Sequence, residues 1–325
     1  MAKSYINIID VSVTVLSLLT FLLDVSTDLV VCVQLLSQGH VVWGGMMVAS
    51  VSVPALMMSV FSLTWHYHDA SLRPAVLATH LLLLAPVERY VHAIYLGFKS
   101  RLSKKVVHTQ RALTAQSDVS ILRLFESFLE SAPQLVLQLY IMVTLHRLAW
   151  FTGLSAVCSL LSLTWAMTAY TDAQRRAHKS VYERRPARLA LHWAWQLFMT
   201  WSRIAAFVAF TAALNYWVLV VMGFHWLIAF IWISVRGTDF GSSFCEKWLF
   251  RAVCGFIYIF VFLNLNDGKS RWRVSTYYTL VFLENAAMVV VFLTLGNGAD
   301  LIVVTCLSVF GGFVLDGHCL NEKIL

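Results

Sequence analysis

Four acidic side chains lie inside segments of the sequence that are apolar enough to cross a membrane. Asp24 and Asp28 belong to the first such segment, and Glu126 and Glu130 belong to the fourth. A charge on a lipid-facing surface costs about 2.5–3.5 kcal/mol even on insertion-based scales. We therefore expect these carboxylates to face the protein interior, where they can hold a cationic group or pair with an arginine.

The first apolar segment carries a continuous polar stripe. Its polar residues recur at spacings of three and four, which places them on one side of a helix. They are Asp10, Thr14, Ser17, Thr20, Asp24 and Asp28. Serine and threonine hydroxyls can bond to a carbonyl one turn earlier in the same helix, so the hydroxyls alone indicate no function. Asp24 and Asp28 do not fit that interpretation, because of the cost of a charge in lipid.

The fourth apolar segment lies within the stretch from Asp118 to Leu145 and has the same character. Its polar residues follow one another at about one helical turn: Arg123, Glu126, Glu130 and Gln134. Pro133 removes a backbone hydrogen bond and frees the Leu129 carbonyl, which predicts a kink beside the acidic residues. Two interpretations stay open. The carboxylates either form a structural network neutralised by Arg123 or Arg203, or they line a polar transport path.

Isolated charges later in the chain belong to the same candidate set. Arg203 lies in the middle of one apolar segment, and Glu284 lies beside Asn285 in another. A mixture of carboxylates and arginines does not fit a pore for cations alone or for anions alone. It fits a zwitterionic ligand such as a phospholipid head group, with arginine for the phosphate and carboxylates for the amine. Trp43 lies at the predicted outer membrane boundary, where tryptophans are common anchors.

Composition and motifs argue against several other classes of protein. Hydrophobic residues make up 59% of the chain and charged residues only 13%, against roughly 25% charged residues in soluble domains, so the chain is a multi-span membrane protein. Its net charge of +7 comes from short basic runs between apolar segments, as in cytoplasmic loops, and does not indicate nucleic acid binding. Cysteines and histidines show no metal-ligand spacing, and there is no phosphate-binding loop or catalytic triad. We expect neither an enzyme nor a cofactor or metal.

Hydropathy divides the chain into ten apolar segments, and a span needs roughly 20 residues. Eight are predicted to span the membrane: 6–36, 41–65, 118–148, 150–172, 189–214, 216–236, 274–296 and 301–317. Two are predicted to be re-entrant: 75–97 and 248–264. The first of these contains Pro86, Glu88 and Arg89, which suit a broken element better than a lipid-facing span. The second is the shorter of the two.

Basic residues orient these segments. The runs at 99–111, 175–188 and 269–273 are all predicted to be cytoplasmic. All three runs lie on the cytoplasmic side if the two re-entrant segments do not cross the membrane and both termini are cytoplasmic. Arg147 is then the one basic loop residue predicted to lie on the outer side.

The predicted fold is an all-α polytopic membrane protein. It has eight transmembrane helices plus two re-entrant helices in two pseudo-repeat halves. The halves cover 1–172 and 189–317, a basic cytoplasmic linker covers 173–188, and a short cytoplasmic tail covers 318–325.

Several motifs resemble the XK-related family of membrane proteins over nearly the whole chain. They are DVSTDL (24–29), DVSILRLFESFLESAPQLVLQLYI (118–141), RGTDF (236–240) and FLNLNDGKSRWR (262–273). Two further motifs are similar to the longer, brain-enriched members of that family: RYVHAIYLGFKSR (89–101) and VFLENAA (281–287).

The resemblance implies a fold and a function. The fold it implies has eight spans and two re-entrant helices in two halves, in a plasma-membrane protein. Some family members are phospholipid scramblases that expose phosphatidylserine during apoptosis, before engulfment. The founder is instead the partner of a membrane peptidase, so the expected partners are phospholipids and a single-span membrane subunit.

The resemblance also assigns positions. Asp24, Asp28, Glu126 and Glu130 fall at family acidic positions of a hydrophilic interior. Trp43 matches a tryptophan near the outer opening of the lipid path in scramblase members. Asp316 lacks the acidic residue three positions earlier that a caspase site of the DxxD type has. Caspase activation is therefore not carried over to this chain.

Three functional hypotheses follow from these observations. The first is passive phospholipid scrambling, with head groups moving along a polar track on the first and fourth spans. The second is a non-catalytic partner or scaffold for another membrane protein, in which the acidic residues only pack against arginines. The third is a small-solute transporter, which the two-half plan suggests.

Overall fold

A computed structural model describes residues 6–68, 73–145, 150–178, 186–237, 244–265 and 271–295. Within these ranges the chain forms helices and turns and contains no strand, which confirms the predicted all-α class. The helices are α1 (Ile8–Ser37), α2 (Val41–His68), α3 (Pro74–Leu81), α4 (Ala85–Ser103), α5 (Val106–Glu126), a π-helical segment (Ser127–Ser131), α6 (Ala132–Leu145), α7 (Trp150–His178), α8 (Pro186–Leu214), α9 (Trp217–Arg236), α10 (Phe244–Ile257) and α11 (Arg271–Leu295).

Of the described helices, six are long and apolar enough to cross a membrane: α1, α2, α7, α8, α9 and α11. The chain is therefore a multi-pass membrane protein, as predicted. Of the predicted span 118–148, the structure describes residues 118–145, which are divided among α5, the π-helical segment and α6, and none of these three is among the six. The predicted span 301–317 lies outside the described residues. The total of eight spans stays a prediction.

The two segments predicted to be re-entrant are both interrupted helices. Within 75–97, α3 ends at Leu81 and α4 begins at Ala85, and Leu83 between them has a φ of +58°. Pro86 lies in the first turn of α4, where its missing N–H removes no helical hydrogen bond. Within 248–264, α10 ends at Ile257 and a turn follows. Whether these elements turn back within the membrane stays a prediction.

The fourth predicted span is interrupted beside Pro133, as the sequence suggests. The interruption is a π-helical segment in which the Ala132 N–H donates to the Ser127 carbonyl five residues earlier. A π turn or a proline is a common cause of a helix kink, and here the two are adjacent. The same helix begins earlier than predicted, because α5 extends back to Val106. The basic run 99–111 is thus largely helical, in α4 up to Ser103 and in α5 from Val106.

Packing divides the chain into two compact units. Unit 1 comprises Met1–Gln134 and Leu154–Trp193, and unit 2 comprises Leu135–Gly153 and Ala194–Leu325. All three boundaries cut through helices, since α6, α7 and α8 each contribute to both units. The predicted pseudo-repeat, with its linker at 173–188, stays a prediction.

Close helix packing in each unit depends on a small residue. In unit 1, α4 approaches α1 at Gly97, where an added Cβ would lie 3.1 Å from Val11. In unit 2, α10 approaches α9 at Gly255, where an added Cβ would lie 3.3 Å from the backbone nitrogen of Phe230. Small residues of this kind let membrane helices approach closely, and dispersion contacts then hold them together.

We expect Gly255→Val to lower the thermal unfolding temperature of the detergent-solubilised protein. The valine side chain would force α10 away from the backbone of α9, and overpacking of this kind typically costs about 1–3 kcal/mol. Gly223→Val on α9 is the matched control, because no atom lies within 4 Å of a Cβ added there. Equal melting temperatures for the two variants would contradict the close approach of α10 to α9.

Candidate functional site

The polar stripe of α1 faces the interior of unit 1. Its aspartates are buried, whereas Leu19, Leu22 and Leu23 on the other side of the helix are exposed. The buried polar residues of the stripe are Asp10, Thr14, Ser17, Asp24 and Asp28. Thr20 is partly buried and donates its hydroxyl to the Ser17 carbonyl. The spacing of these residues in the sequence therefore predicted their placement.

Arg123 on α5 lies among the predicted acidic residues. Its Nη1 donates to Glu126 Oε2 at 2.7 Å, and its Nη2 lies 3.5 Å from Asp24 Oδ2. The guanidinium also lies 5.2 Å from the ring centroid of Phe21 and donates to the hydroxyl of Ser162 on α7. One buried cation thus connects α1, α5 and α7.

Serine hydroxyls supply further hydrogen bonds to the aspartates. Ser131 donates to Asp24 Oδ2 at 2.6 Å, and Ser155 donates to Asp28 Oδ1 at 3.1 Å. Ser131 is the last residue of the π-helical segment, and Ser155 lies on α7. Hydrogen bonds to a charged acceptor are stronger than bonds between neutral groups, so these serines stabilise carboxylates that burial disfavours.

Acidic side chains outnumber basic ones around Arg123. We use the name acidic cluster for Asp24, Asp28, Glu126 and Glu130, together with Arg123 and Gln134. Glu130 lies within electrostatic range of the other three carboxylates and of Arg123. In the described part of the chain, the cluster brings four carboxylates around one arginine.

Several buried polar atoms of the cluster have no hydrogen-bond partner among the described residues. They include Asp24 Oδ1, Glu130 Oε1 and Gln134 Nε2. The Gln134 side chain accepts a bond from Ser50 on α2 at 3.2 Å through its Oε1, so only its amide nitrogen lacks a partner. Leaving a buried polar group unsatisfied costs about 1–3 kcal/mol. These atoms are therefore available to a polar ligand or to water.

The stripe continues toward the N-terminal end of α1. Asp10 forms an ion pair with Arg176 on α7 at 3.0 Å, and Arg176 also donates to Gln116 at 3.2 Å. Gln116 in turn donates to Thr14 at 3.2 Å. A cavity of about 30 Å³ lies alongside, bounded on its polar side by Thr14, Ser17, Gln116, Ser120 and Arg123. That volume is enough for a water molecule.

Unit 2 contains the other two predicted charges in a separate cluster. Arg203 on α8 is fully buried and donates from Nη2 to Glu284 Oε2 at 2.6 Å and from Nη1 to Asn285 Oδ1 at 2.7 Å. Its Nε donates to the Ile259 carbonyl at 2.9 Å. His225 Nδ1 lies 2.9 Å from both carboxylate oxygens of Glu284. Each donor group of Arg203 therefore has an acceptor within unit 2.

Trp43 lies in the first turn of α2 and is partly buried. It stands four residues after the short turn that joins α1 to α2. This position agrees with the predicted boundary between span and loop. Its proposed role at an outer opening stays a prediction.

Sequence reasoning missed several partners of the predicted charges. Ser155, Ser159 and Ser162 form a buried stripe on α7 at spacings of four and three, the signal that had identified the α1 stripe. Arg176 was predicted to lie in a loop, but α7 continues to His178, and the Arg176 side chain is buried. His225 has no comparable local signal, because its partner Glu284 is far away in the sequence.

The chemical groups of the acidic cluster determine which ligands it could hold. Among the described residues, no group of three or more His, Cys, Asp or Glu side chains is placed to hold a metal ion. Carboxylate and amide oxygens accept hydrogen bonds from an ammonium group, and the Arg123 guanidinium binds phosphate oxygens in a planar geometry. The cluster therefore has the donor and acceptor types that a zwitterionic head group needs.

Comparison with protein families confirms the resemblance seen in the motifs. The family model described as XK-related protein matches residues 12–318, which is nearly the whole chain. The match includes both units, the acidic cluster on α1 and α5, and the cluster around Arg203. The chain belongs to the XK-related family of multi-pass membrane proteins.

Proposed function

We propose that the protein is a passive phospholipid scramblase, and that lipid head groups move along the polar side chains of α1 and of the α5–α6 helix. The observation that carries this proposal is the excess of buried carboxylates in the acidic cluster, together with polar atoms that have no hydrogen-bond partner among the described residues. Membership of the XK-related family supports the same proposal.

The polar track lowers the main barrier to lipid transfer. A head group that enters hydrocarbon loses its hydrogen bonds to water, and an isolated charge in an apolar medium costs far more than a neutral polar group. Hydroxyls and carboxylates placed at each turn of α1 replace those hydrogen bonds one after another. Transfer of this kind is driven only by the lipid gradient and proceeds in both directions.

Charge in the cluster fits head groups that carry an amine. Glu130 Oε1 and Asp24 Oδ1 are acceptors without a partner in the described residues. An ammonium group would supply donors to both and would reduce the excess negative charge. The water-sized cavity beside Arg123 shows that the stripe is not fully packed on its N-terminal side.

A second candidate function is that of a non-catalytic membrane partner, which a different observation favours. The side chains of Asp24, Glu126 and Glu130 are each only 3% exposed, so the described arrangement is closed to lipid. In that case the acidic cluster would serve to hold α1, α5 and α7 together. Exposure of phosphatidylserine and a role in apoptosis belong to the scramblase proposal alone, whereas a plasma-membrane location is proposed for either function.

We expect Glu130→Gln to slow lipid scrambling by about tenfold, because a loss of about 1.4 kcal/mol in stabilisation of the moving head group corresponds to that factor. The full chain is reconstituted in liposomes that carry a fluorescent lipid in both leaflets. A membrane-impermeant quencher then removes nearly all fluorescence if lipids cross, and about half if they do not. Glu246→Gln, a buried carboxylate outside the acidic cluster, is the control and should scramble at the wild-type rate.

A fluorescence plateau near one half for the wild-type protein at every lipid composition would contradict scrambling by the chain alone. In that case a partner function becomes the better proposal. The third hypothesis, a small-solute transporter, predicts instead an uptake of solute that depends on an ion gradient, which the same liposomes can measure.

We expect Arg123→Gln to reduce the free energy of unfolding by about 3–5 kcal/mol, because it leaves Asp24 and Glu126 buried without their cation. The double variant Arg123→Gln/Glu126→Gln should regain part of this loss by removing one of the uncompensated charges. Denaturation in detergent measures both. Arg111→Gln on the exposed side of α5 is the control and should change little. No recovery in the double variant would contradict the ion pair.

A further inference from the structure

A groove runs along the side of α4 that faces away from the acidic cluster. Its volume is about 500 Å³, within the range of roughly 300–1,000 Å³ that small-molecule sites occupy. It is lined by Thr79, Leu84, Val87, Glu88, Val91, His92 and Tyr95. All of these residues belong to unit 1, and only Thr79 comes from α3.

The groove follows one face of α4. Leu84, Val87, Val91 and Tyr95 are spaced by three and four residues, so they lie on the same side of the helix. Tyr90 and Ala93, on the opposite side, are buried against Phe21 of α1. Val91 and Tyr95 are 56% and 58% exposed. A ligand in the groove would therefore contact α4 without displacing the core of unit 1.

One end of the groove is polar. The Lys99 ammonium lies 5.7 Å from the ring centroid of Tyr95, one turn further along α4. Val91, Tyr95 and Lys99 thus match the pattern V-x₃-Y-x₃-K, which belongs to a class of short motifs proposed for sterol contact. The pattern alone is common in membrane proteins. Here Val91 and Tyr95 line the groove, and the Lys99 ammonium lies over the ring of Tyr95.

We propose that this groove binds a membrane sterol, with the sterol hydroxyl at Tyr95 and Lys99 and the ring system along Val91, Val87 and Leu84. The twelve residues from Leu84 to Tyr95 span about 16 Å of helix, comparable to the long dimension of a sterol. The phenol and the ammonium together provide an acceptor and donors for a single hydroxyl. In the predicted topology Lys99 faces the cytoplasm, so the sterol would come from the inner leaflet.

The lining of the groove favours a sterol over a phospholipid. Most of its residues are apolar or aromatic, and the Glu88 carboxylate already lies 3.4 Å from His66 Nε2 and 3.9 Å from Arg89 Nε. A neutral ring system with one hydroxyl needs no further charged partner in such a lining. Valine side chains at 87 and 91 present branched, stiff surfaces that pack well against a rigid ring system. The proposal does not depend on scrambling, because the site lies outside the acidic cluster.

The test uses the full chain in phosphatidylcholine liposomes that contain a photoreactive cholesterol analogue. After irradiation, mass spectrometry should find the adduct on peptides that cover 84–99, and unlabelled cholesterol should compete for it. Tyr95→Ser should lower the labelling at least about fivefold, because it removes the ring from the groove and shortens the side chain so that its hydroxyl no longer reaches the sterol. Tyr67→Ser is the matched control, since Tyr67 is 70% exposed and lies outside the groove.

Two further variants keep the test independent of the Tyr95 hydroxyl. Val91→Trp should abolish labelling by filling the groove, and Lys99→Arg should preserve it by keeping the cation. Equal labelling of wild type and Tyr95→Ser would overturn the proposal. So would equal competition by mirror-image cholesterol, or by phosphatidylserine, because a phospholipid or a general bilayer effect would then explain the signal. Size-exclusion profiles confirm that each variant is folded.

Discussion

The pairing of Arg123 with Asp24 and Glu126 is the interaction on which the rest of unit 1 depends. Neither a carboxylate nor a guanidinium is stable in a dry interior by itself, so each requires the others at short distance. Arg123 lies on α5, Asp24 on α1, and the third contact, Ser162, on α7. Three helices must therefore approach in one register before any of these charges is compensated. Apolar packing between membrane helices has no comparable specificity, because lipid tails are as apolar as leucine.

The π-helical segment makes this arrangement compatible with a continuous helix. Pro133 removes one backbone donor, and the wider turn before it changes the direction of the side chains that follow Glu126. As a result Ser131 bonds to Asp24 and Gln134 bonds to Ser50, while Glu130 keeps an oxygen without a partner in the described residues. The π-helical segment beside Pro133 is thus the local feature that directs Ser131 and Gln134 to their partners. Segments of this type occur often at functional sites in α-helices.

The spacing of polar and apolar residues was sufficient to predict the helical class and part of the candidate site. The stripe on α1 and the turn-by-turn series on the fourth segment predicted which side chains face inward, because a helix has a fixed period. Spacing could not predict which helices are neighbours, and so the pairs Asp10–Arg176 and Arg203–Glu284 were not foreseen. The run 99–111 was interpreted as a loop from its charge, yet its lysines, arginines, leucine and glutamine all favour helix. The charge pattern therefore did not predict the helix ends in this run.

The two buried arginines differ in what they leave for a ligand. Arg203 has its Nε on the Ile259 carbonyl and its two terminal nitrogens on Asn285 and Glu284. It ties the turn after α10 to α8 and α11, and each of its three nitrogens already has an acceptor. Arg123 instead lies among four carboxylates, beside a cavity large enough for water. If head groups bind anywhere in the described structure, unfilled hydrogen-bonding capacity and excess charge favour the acidic cluster, whereas Arg203 serves to hold a broken helix in place.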